Sequence, residues 1–503
     1  MSEGDLLGWQ REDWPWLLGL LLLGSLTLAL FALSADRFTA GQGGVPLDDA
    51  WIHFQFARNL ARGDGLSFNP GRPTSGSTAP LWTFLLAAVY PLGGFPIAGQ
   101  VLSGLCFLLT LVATYRLGWR LTGERWAAGL TGAVVAVNGR MVWAGLSALE
   151  TCLFAWLSLW AIAAHLTDRA TGRYRSGTVV LFGLAALSRP EGYLLFALAG
   201  ADFLYSLWRG GCSARLVLRL FLAASLFVAI VVPYLLFSWY TSGHLLPNTY
   251  HAKATVTWRP DWDFVSLAAR YLILDNPLLL PCFVLGVGLL FSQAPVLSLW
   301  SGGLPLVYAF LHAIPYQHGR YLMPLIPCNA IVGVVGLWRM RRWLLRRRGR
   351  WRDLVGRFGV IGVVVVAGTA WRLPEMARLY AWNVDNINQM HVGLGHWVVE
   401  HVPAGAVLAL NDIGAITYVS EHPVVDLAGL ITPEVIPILR HPDRDALLID
   451  LMAERDVEYV IIFPNWFPGL AERDDVLTPI HQVTLERRTI GGGERMVVYQ
   501  AHW

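Results

Sequence analysis

"WLLGLLLLGSLTLALFAL", Trp16 to Leu33, is an uncharged run of 18 residues, long enough to cross the ~30 Å hydrocarbon core of a bilayer as a helix. Shortly after it comes "PLDDAWIHFQFARNLARGDGLSFNPG", Pro46 to Gly71, where two adjacent carboxylates stand one helical turn from His53 and near Arg58. The residues before Trp16 lack the basic segment and small-residue cleavage site of a secretory signal, so the run reads as a retained first span. A polar, chemically equipped stretch directly behind a span predicts a membrane protein with its chemistry in a loop.

The rest of the chain agrees. Of 503 residues, 55% are hydrophobic and 15% charged, against about 25% charged in a soluble domain, and the mean hydropathy is +0.48. The expected fold class is a polytopic α-helical membrane protein. A formal net charge of +3 excludes nucleic acid as a principal partner, which would require a dense basic patch. Lys253 is the single lysine among 38 basic residues. Cys106, Cys152, Cys212, Cys282 and Cys328 lie in or beside apolar runs, a placement that does not suggest a disulfide framework.

Basic clusters set the topology. Arg116, Arg120 and Arg125; Arg169, Arg173 and Arg175; Arg209, Arg215 and Arg219; and "RMRRWLLRRRGRWR" from Arg339 are all cytoplasmic by the positive-inside rule. Placing them on one side predicts about eleven spans, near 16–34, 95–115, 126–138, 150–166, 176–190, 192–208, 217–240, 276–292, 296–313, 320–338 and 355–371. The N-terminus is then cytoplasmic, in a bacterial-type plasma membrane. "STAPLWTFLLAAVYPLGG", Ser77 to Gly94, is too short to span and reads as an interfacial or re-entrant helix. Outer loop 35–95 therefore holds the Asp pair, and residues 1–371 form the transmembrane domain.

From Arg372 the pattern changes. "VLALNDIGAITYVS", "HPVVDLAGL" and "VEYVIIFP" read as short buried strands, and "DRDALLIDLMAERD" as an amphipathic helix between them. Residues 372–503 are expected to be a small extracytoplasmic α/β domain.

Helical spacing puts His53 on the Asp49 face and turns Asp48 about 100° away. Either carboxylate is a candidate base near an apolar interface; capping the helix is the structural alternative. On the same side stand the cations Arg189, Lys253, Arg320 and Arg58. Arg189 and Glu191 flank Pro190 between apolar runs, where a charge is costly and often functional. "HLLPNTYHAKA" supplies His244, Asn248, His251 and Lys253, while His318 precedes Arg320 and Glu150 ends an apolar run. Asp412 and Asp426 fit turn roles in the tail. No His/Cys cluster has zinc spacing and there is no P-loop or GxGxxG; the Asp pair admits a divalent cation without requiring one.

"DDAWIHFQFARNLARGDGLSFNPG", "STAPLWTFLLA", "GLSALETCLFAWL", "SRPEGYLL", "LLPNTYHAKA", "HGRYLMPLIP" and "NDIGAITYVSEHPVVDLAGLITPEV" together resemble, in order, the blocks of GT-C membrane glycosyltransferases. The resemblance is to the branch containing the mycobacterial terminal arabinofuranosyltransferase. It implies transfer of a sugar from a polyprenyl phosphate carrier to a glycan, lipid or protein acceptor on the outer membrane face, with inversion. It also implies that Asp48 or Asp49, the first slightly favoured, is the base. Arg189, Lys253, Arg320 and Arg58 would then bind the donor phosphate, and His53, Glu150, Glu191, Asn248, His251 and His318 the substrate. His53 departs from the small hydroxyl residue expected in the arabinosyl branch, which leaves the sugar open. A transporter or flippase of lipid-linked saccharide is the competing class, though transporters place charged sites near the bilayer midplane. A lipid-binding relative without turnover is a third.

Overall fold

Helix α1 (Trp14–Phe38) shows how the apolar runs are used. Leu17, Leu20, Gly24, Thr27, Phe31 and Ala35 are buried at three- and four-residue spacing, whereas Leu18, Leu22, Leu26 and Leu30 on the opposite side are 45–63% exposed. Such a stripe of bare leucine is stable against lipid and not against water. Gly24 allows close packing on its neighbour: a Cβ there would stand 2.6 Å from Leu111 Cδ1.

The structure is a computed structural model and describes residues 9–172, 174–210, 214–253, 258–311, 316–346 and 358–503. After α1 come α2 (Asp48–Arg62), α3 (Pro80–Val89), α4 (Ile97–Thr122), α5 (Arg125–Ala136), α6 (Gly139–Gly145) and α7 (Thr151–Thr171). There follow α8 (Ser176–Ser188), α9 (Glu191–Gly210), α10 (Ala214–Ser242), α11 (Asn248–Lys253), α12 (Trp262–Asp275), α13 (Leu280–Gln293) and α14 (Pro295–Phe310). The last part holds α15 (Ile326–Arg346), α16 (Phe358–Ala370), α17 (Leu373–Ile387) and α18 (Gly393–His401).

Each of the eleven expected spans overlaps a helix among the described residues. Among the described residues, five helical stretches are long and apolar enough to cross a membrane, or six if α12 and α13, bent by 107°, count as one. Shorter apolar helices, including Ser176–Ser188 and Pro295–Phe310, complete the bundle. Ser77–Gly94 yields only the ten-residue α3 and a 3₁₀ turn, Tyr90–Leu92, too short to span. Arg173 and the basic cluster beyond Arg346 lie outside the described residues, as do the side chains of Arg209, Arg215 and Lys253.

Helix α2 is sandwiched. Ala50, Trp51, Phe54 and Ala57 pack into the helical bundle, while Ile52 and Phe56 pack into the core of the C-terminal domain. Gly63, at φ +93°, ends the helix in the left-handed region where glycine pays no Cβ penalty.

The C-terminal domain is built on a five-stranded sheet: β1 (Val407–Leu410), β2 (Val424–Asp426), β3 (Val457–Ile462), β4 (Leu477–Thr484) and β5 (Arg495–Ala501). Its order is β2-β1-β3-β5-β4, parallel across β2-β1-β3 and antiparallel across β3-β5-β4. Leu408, Leu410, Ile461 and Val498 face one core; Ala409, Val460, Ile462 and Val497 face another. Alternation at period two thus buries both faces. Helix α20 (Arg444–Glu454), expected from its amphipathic pattern, covers the second face through Leu448, Leu451 and Met452.

Two readings of the tail are corrected. "VLALNDIGAITYVS" is a strand only as far as Leu410; Gly414–Ser420 is a helix, α19, because its first amides find a carboxylate from the other end of the chain. "HPVVDLAGL" contributes three strand residues, after which the Asp426 carboxylate accepts the amides of Ala428 at 2.8 Å and Ile431 at 2.9 Å and turns the chain. Helix α17, beyond residue 371, packs with the bundle through Met376, Tyr380, Val384 and Ile387, and Met390 is the first residue after it in the sheet-domain core.

Candidate active site

The first turn of α2 carries both aspartates, with Leu47 at the N-cap and no side-chain cap. Neither caps its own helix; each is spent elsewhere. The Asp49 carboxylate meets Arg320 Nη2 at 2.5 Å. Arg320 Nη2 is also 3.3 Å from the Tyr321 hydroxyl. The guanidinium carbons of Arg320 and Arg189 lie 5.1 and 5.4 Å from the Tyr321 ring centroid, within cation–π range.

Arg189, 4% exposed, donates to Glu150 Oε1 at 2.8 Å and to Glu191 Oε1 from Nε and Nη2 at 2.9 and 2.6 Å. Glu191 also accepts from the Tyr308 hydroxyl, and Glu150 Oε2 is 3.6 Å from His53 Nε2. Six of the residues singled out from sequence, Asp49, His53, Glu150, Arg189, Glu191 and Arg320, therefore form one connected cluster with Tyr308 and Tyr321. Charges this deep persist only when paired or when they serve a ligand. Arg320 Nε is buried without a hydrogen-bond partner, a donor available to an incoming oxyanion.

Asp48 faces the other way, as the spacing predicted. It is 3% exposed and accepts the amides of Gly414 at 2.8 Å and Ala415 at 2.7 Å, the first turn of α19. A cap on a helix N-terminus suits a carboxylate. Gly414 has no room for a side chain, since a Cβ would stand 2.3 Å from the Asp48 carbonyl oxygen. Burial pushes the Asp48 carboxyl up to about 7, with the His391 charge opposing and Asp412 reinforcing the rise. His391, on a π-helical turn at Asn388–Val392, bonds Asp412 Oδ2 through Nε2 at 2.9 Å. Asp48, His391 and Asp412 bring three ligand-type atoms within 4.8 Å of one another. These three groups are of the type that could hold a divalent cation.

The other expected site residues lie apart. Arg58 bonds the Tyr418 carbonyl and pairs with Glu421 at 2.8 Å, its guanidinium 4.2 Å from the Tyr418 ring. It ties α2 to α19 and is not in the arginine cluster. Asn248 donates to the Leu430 carbonyl at 3.3 Å, and the His251 carbonyl accepts from Arg440, so α11 also leans on the sheet domain. His251 sits 4.4 Å from the His244 ring, and burial together with that neighbour lowers its pKa. His318 Nε2 bonds Asn383 Oδ1 at 2.8 Å.

Sequence reasoning missed Tyr308, Tyr321, the His391–Asp412 pair and Arg140. Arg140 had a signal: it is a lone arginine between two apolar runs, as Arg189 is.

A helical bundle that sets Asp49, on the helix behind the first span, against Arg320 and carries an appended small sheet domain shares the fold of solved GT-C glycosyltransferases. The solved structure of ArnT from Cupriavidus metallidurans matches with a TM-score of 0.62 at 15% identity, covering 95% of this chain and 97% of that one. The same protein bound to undecaprenyl phosphate matches at 0.60. The Archaeoglobus fulgidus oligosaccharyltransferase matches at 0.58, with 12% identity over 89% of this chain and 69% of that one. In sequence, the chain is 28% identical to the terminal beta-(1->2)-arabinofuranosyltransferase of Mycobacterium tuberculosis over 64% of its length, and the match spans 57% of that relative. Residues 382–499 match a domain of unknown function (DUF8728).

Proposed function

We propose that this protein is an inverting membrane glycosyltransferase that moves a sugar from a polyprenyl phosphate to an acceptor hydroxyl on the outer face of the membrane. The observation that carries this reading is the convergence of two buried arginines, Arg189 and Arg320, on Tyr321 beside Asp49. A fixed guanidinium at the Asp49 carboxylate, with a second on the same tyrosine ring, is suited to a leaving phosphate beside a reacting hydroxyl. ArnT, of the same fold, has been solved with undecaprenyl phosphate, and the mycobacterial relative transfers arabinofuranose by its name.

Asp49 is the base in this reading. It takes the acceptor proton while the acceptor oxygen bonds the anomeric carbon and the bond from that carbon to the phosphate oxygen breaks. The phosphate leaves with the electron pair, its charge met by Arg320 and Arg189. One displacement inverts the anomeric centre. Asp48, committed to the α19 amides, holds the sheet domain against the site. A carboxylate base contributes on the order of 10²–10⁴-fold.

The test uses the full chain in lipid nanodiscs with a panel of polyprenyl-phosphate sugars and envelope glycan acceptors. Transfer by wild type and its loss in Asp49→Asn support the reading. Stoichiometric lipid movement without product would replace it with a transporter.

A further inference from the structure

We propose that Arg140 is a positioning residue that aims Arg320 at Asp49. The inference rests on the reading above only for the role of Arg320; its geometry stands by itself. Gln317, His318 and Gly319, the three residues before Arg320, have φ of +59°, +60° and +65°. Two successive non-glycine residues in the left-handed region do not hold that conformation unaided. Arg140, 4% exposed on α6, supplies the hold. Its Nε donates to the His318 carbonyl at 2.9 Å and its Nη2 to the Gly319 carbonyl at 2.8 Å.

The clamp is itself clamped. Arg140 Nη1 meets Asp275 Oδ2 at 2.6 Å, and the Tyr271 ring lies 4.0 Å from the guanidinium carbon. Tyr271 also closes the space beside Gly319, where a Cβ would stand 2.5 Å from Tyr Cε2 and 2.9 Å from Arg140 Nη2. Packing excludes a side chain there, and a left-handed φ of +65° would add to its cost. From the other side, the His318 ring bonds Asn383, which accepts the Trp143 indole N–H at 3.0 Å. Asp275 ends α12 just before the 107° bend into α13. The direction of Arg320 is therefore set jointly by α6, the bend and α17.

Arg140→Lys keeps the charge but lacks the planar fork that serves two carbonyls and a carboxylate at once. With undecaprenyl phosphate as the probe, Arg140→Lys in nanodiscs is expected to bind about tenfold to a hundredfold more weakly, the scale of misplacing a positioned group. In an Arg320→Ala background the same substitution is expected to change binding little, because its effect acts through Arg320. Equal losses in both backgrounds would show a general structural role and overturn the proposal. Asp275→Asn, a milder change in the clamp, is expected to give a smaller loss of the same kind. A density map of Arg140→Lys reads the geometry without ligand: displacement of Arg320 from Asp49 is expected, and an intact ion pair overturns the proposal. If Arg320→Ala alone binds the lipid as wild type does, the phosphate role of Arg320 fails while the map still decides the positioning role.

Discussion

Asp48 and Asp49 are chain neighbours that serve different halves of the molecule. Asp48 accepts the amides of Gly414 and Ala415, and Asp49 pairs with Arg320. The helical turn of about 100° per residue is enough to separate them, so the two substitutions have different outcomes.

Asp49→Asn leaves the α19 contacts intact and removes the carboxylate proposed as the base. Transfer is expected to fall by about 10²-fold or more, with some loss of thermal midpoint because Arg320, whose side chain is 9% exposed, keeps only a neutral partner, and with proteolysis within residues 407–501 unchanged. Asp48→Ala instead leaves two buried amides without their acceptor, at a cost of about 1–3 kcal/mol. Its expected signature is a lower midpoint and faster proteolysis within residues 407–501. Inactive, fully stable Asp48→Asn beside active Asp49→Asn would reverse the assignment of base and anchor.

Gly414→Ala tests the same contact from the other side. The added methyl would meet the Asp48 backbone and carboxylate at 2.3 and 2.5 Å, and overpacking of this kind costs about 1–3 kcal/mol. The midpoint should fall as in Asp48→Ala, and the double variant should fall by less than the sum of the two. Additive losses would mean the residues are not coupled.

These contacts show what could be read from the chain alone. The bundle was legible because a span is a local property: the leucine runs of α1 declare it without a partner. The cluster was legible in part because charges beside apolar runs are rare, which singled out Arg189, Glu191 and Arg320; the same rule finds Arg140. The fate of Asp48 was not legible, since its partners lie 366 and 367 residues away. For the same reason "GAITYVS", rich in β-branched and aromatic residues, looked like strand, although a remote carboxylate satisfies its first amides as a helix. Strand β4 escaped because an edge strand with Pro479 and mostly exposed side chains carries little alternation.

Asp48 should also leave a mark on the pH dependence of stability. Burial raises its carboxyl to about 7 in the folded chain from 3.8, so the folded state binds the proton more tightly than the unfolded chain. Its contribution is most favourable below about 4, where both states are protonated or nearly so. It is lost as pH rises from there through about 7. The midpoint of wild type relative to Asp48→Asn should fall between pH 4.5 and 8, as measured by thermal unfolding in nanodiscs. A difference independent of pH would show that Asp48 does not titrate in this range.

The two arginines should differ in what their removal does to the fold. Arg189 stands between Glu150 and Glu191, whose side chains are 11% and 8% exposed. Arg189→Ala leaves two buried carboxylates facing each other, and breaking a buried pair costs about 3–5 kcal/mol. Arg320 answers Asp49, whose side chain is 22% exposed and better able to recover solvent. Arg320→Ala is therefore expected to retain most of the thermal midpoint while losing undecaprenyl phosphate affinity. Arg189→Ala should lose both, and Glu191→Gln in that background should recover part of the midpoint by removing one stranded charge. Equal thermal losses for the two arginines, with no recovery by Glu191→Gln, would show that the Arg189 pairings do not hold the bundle together.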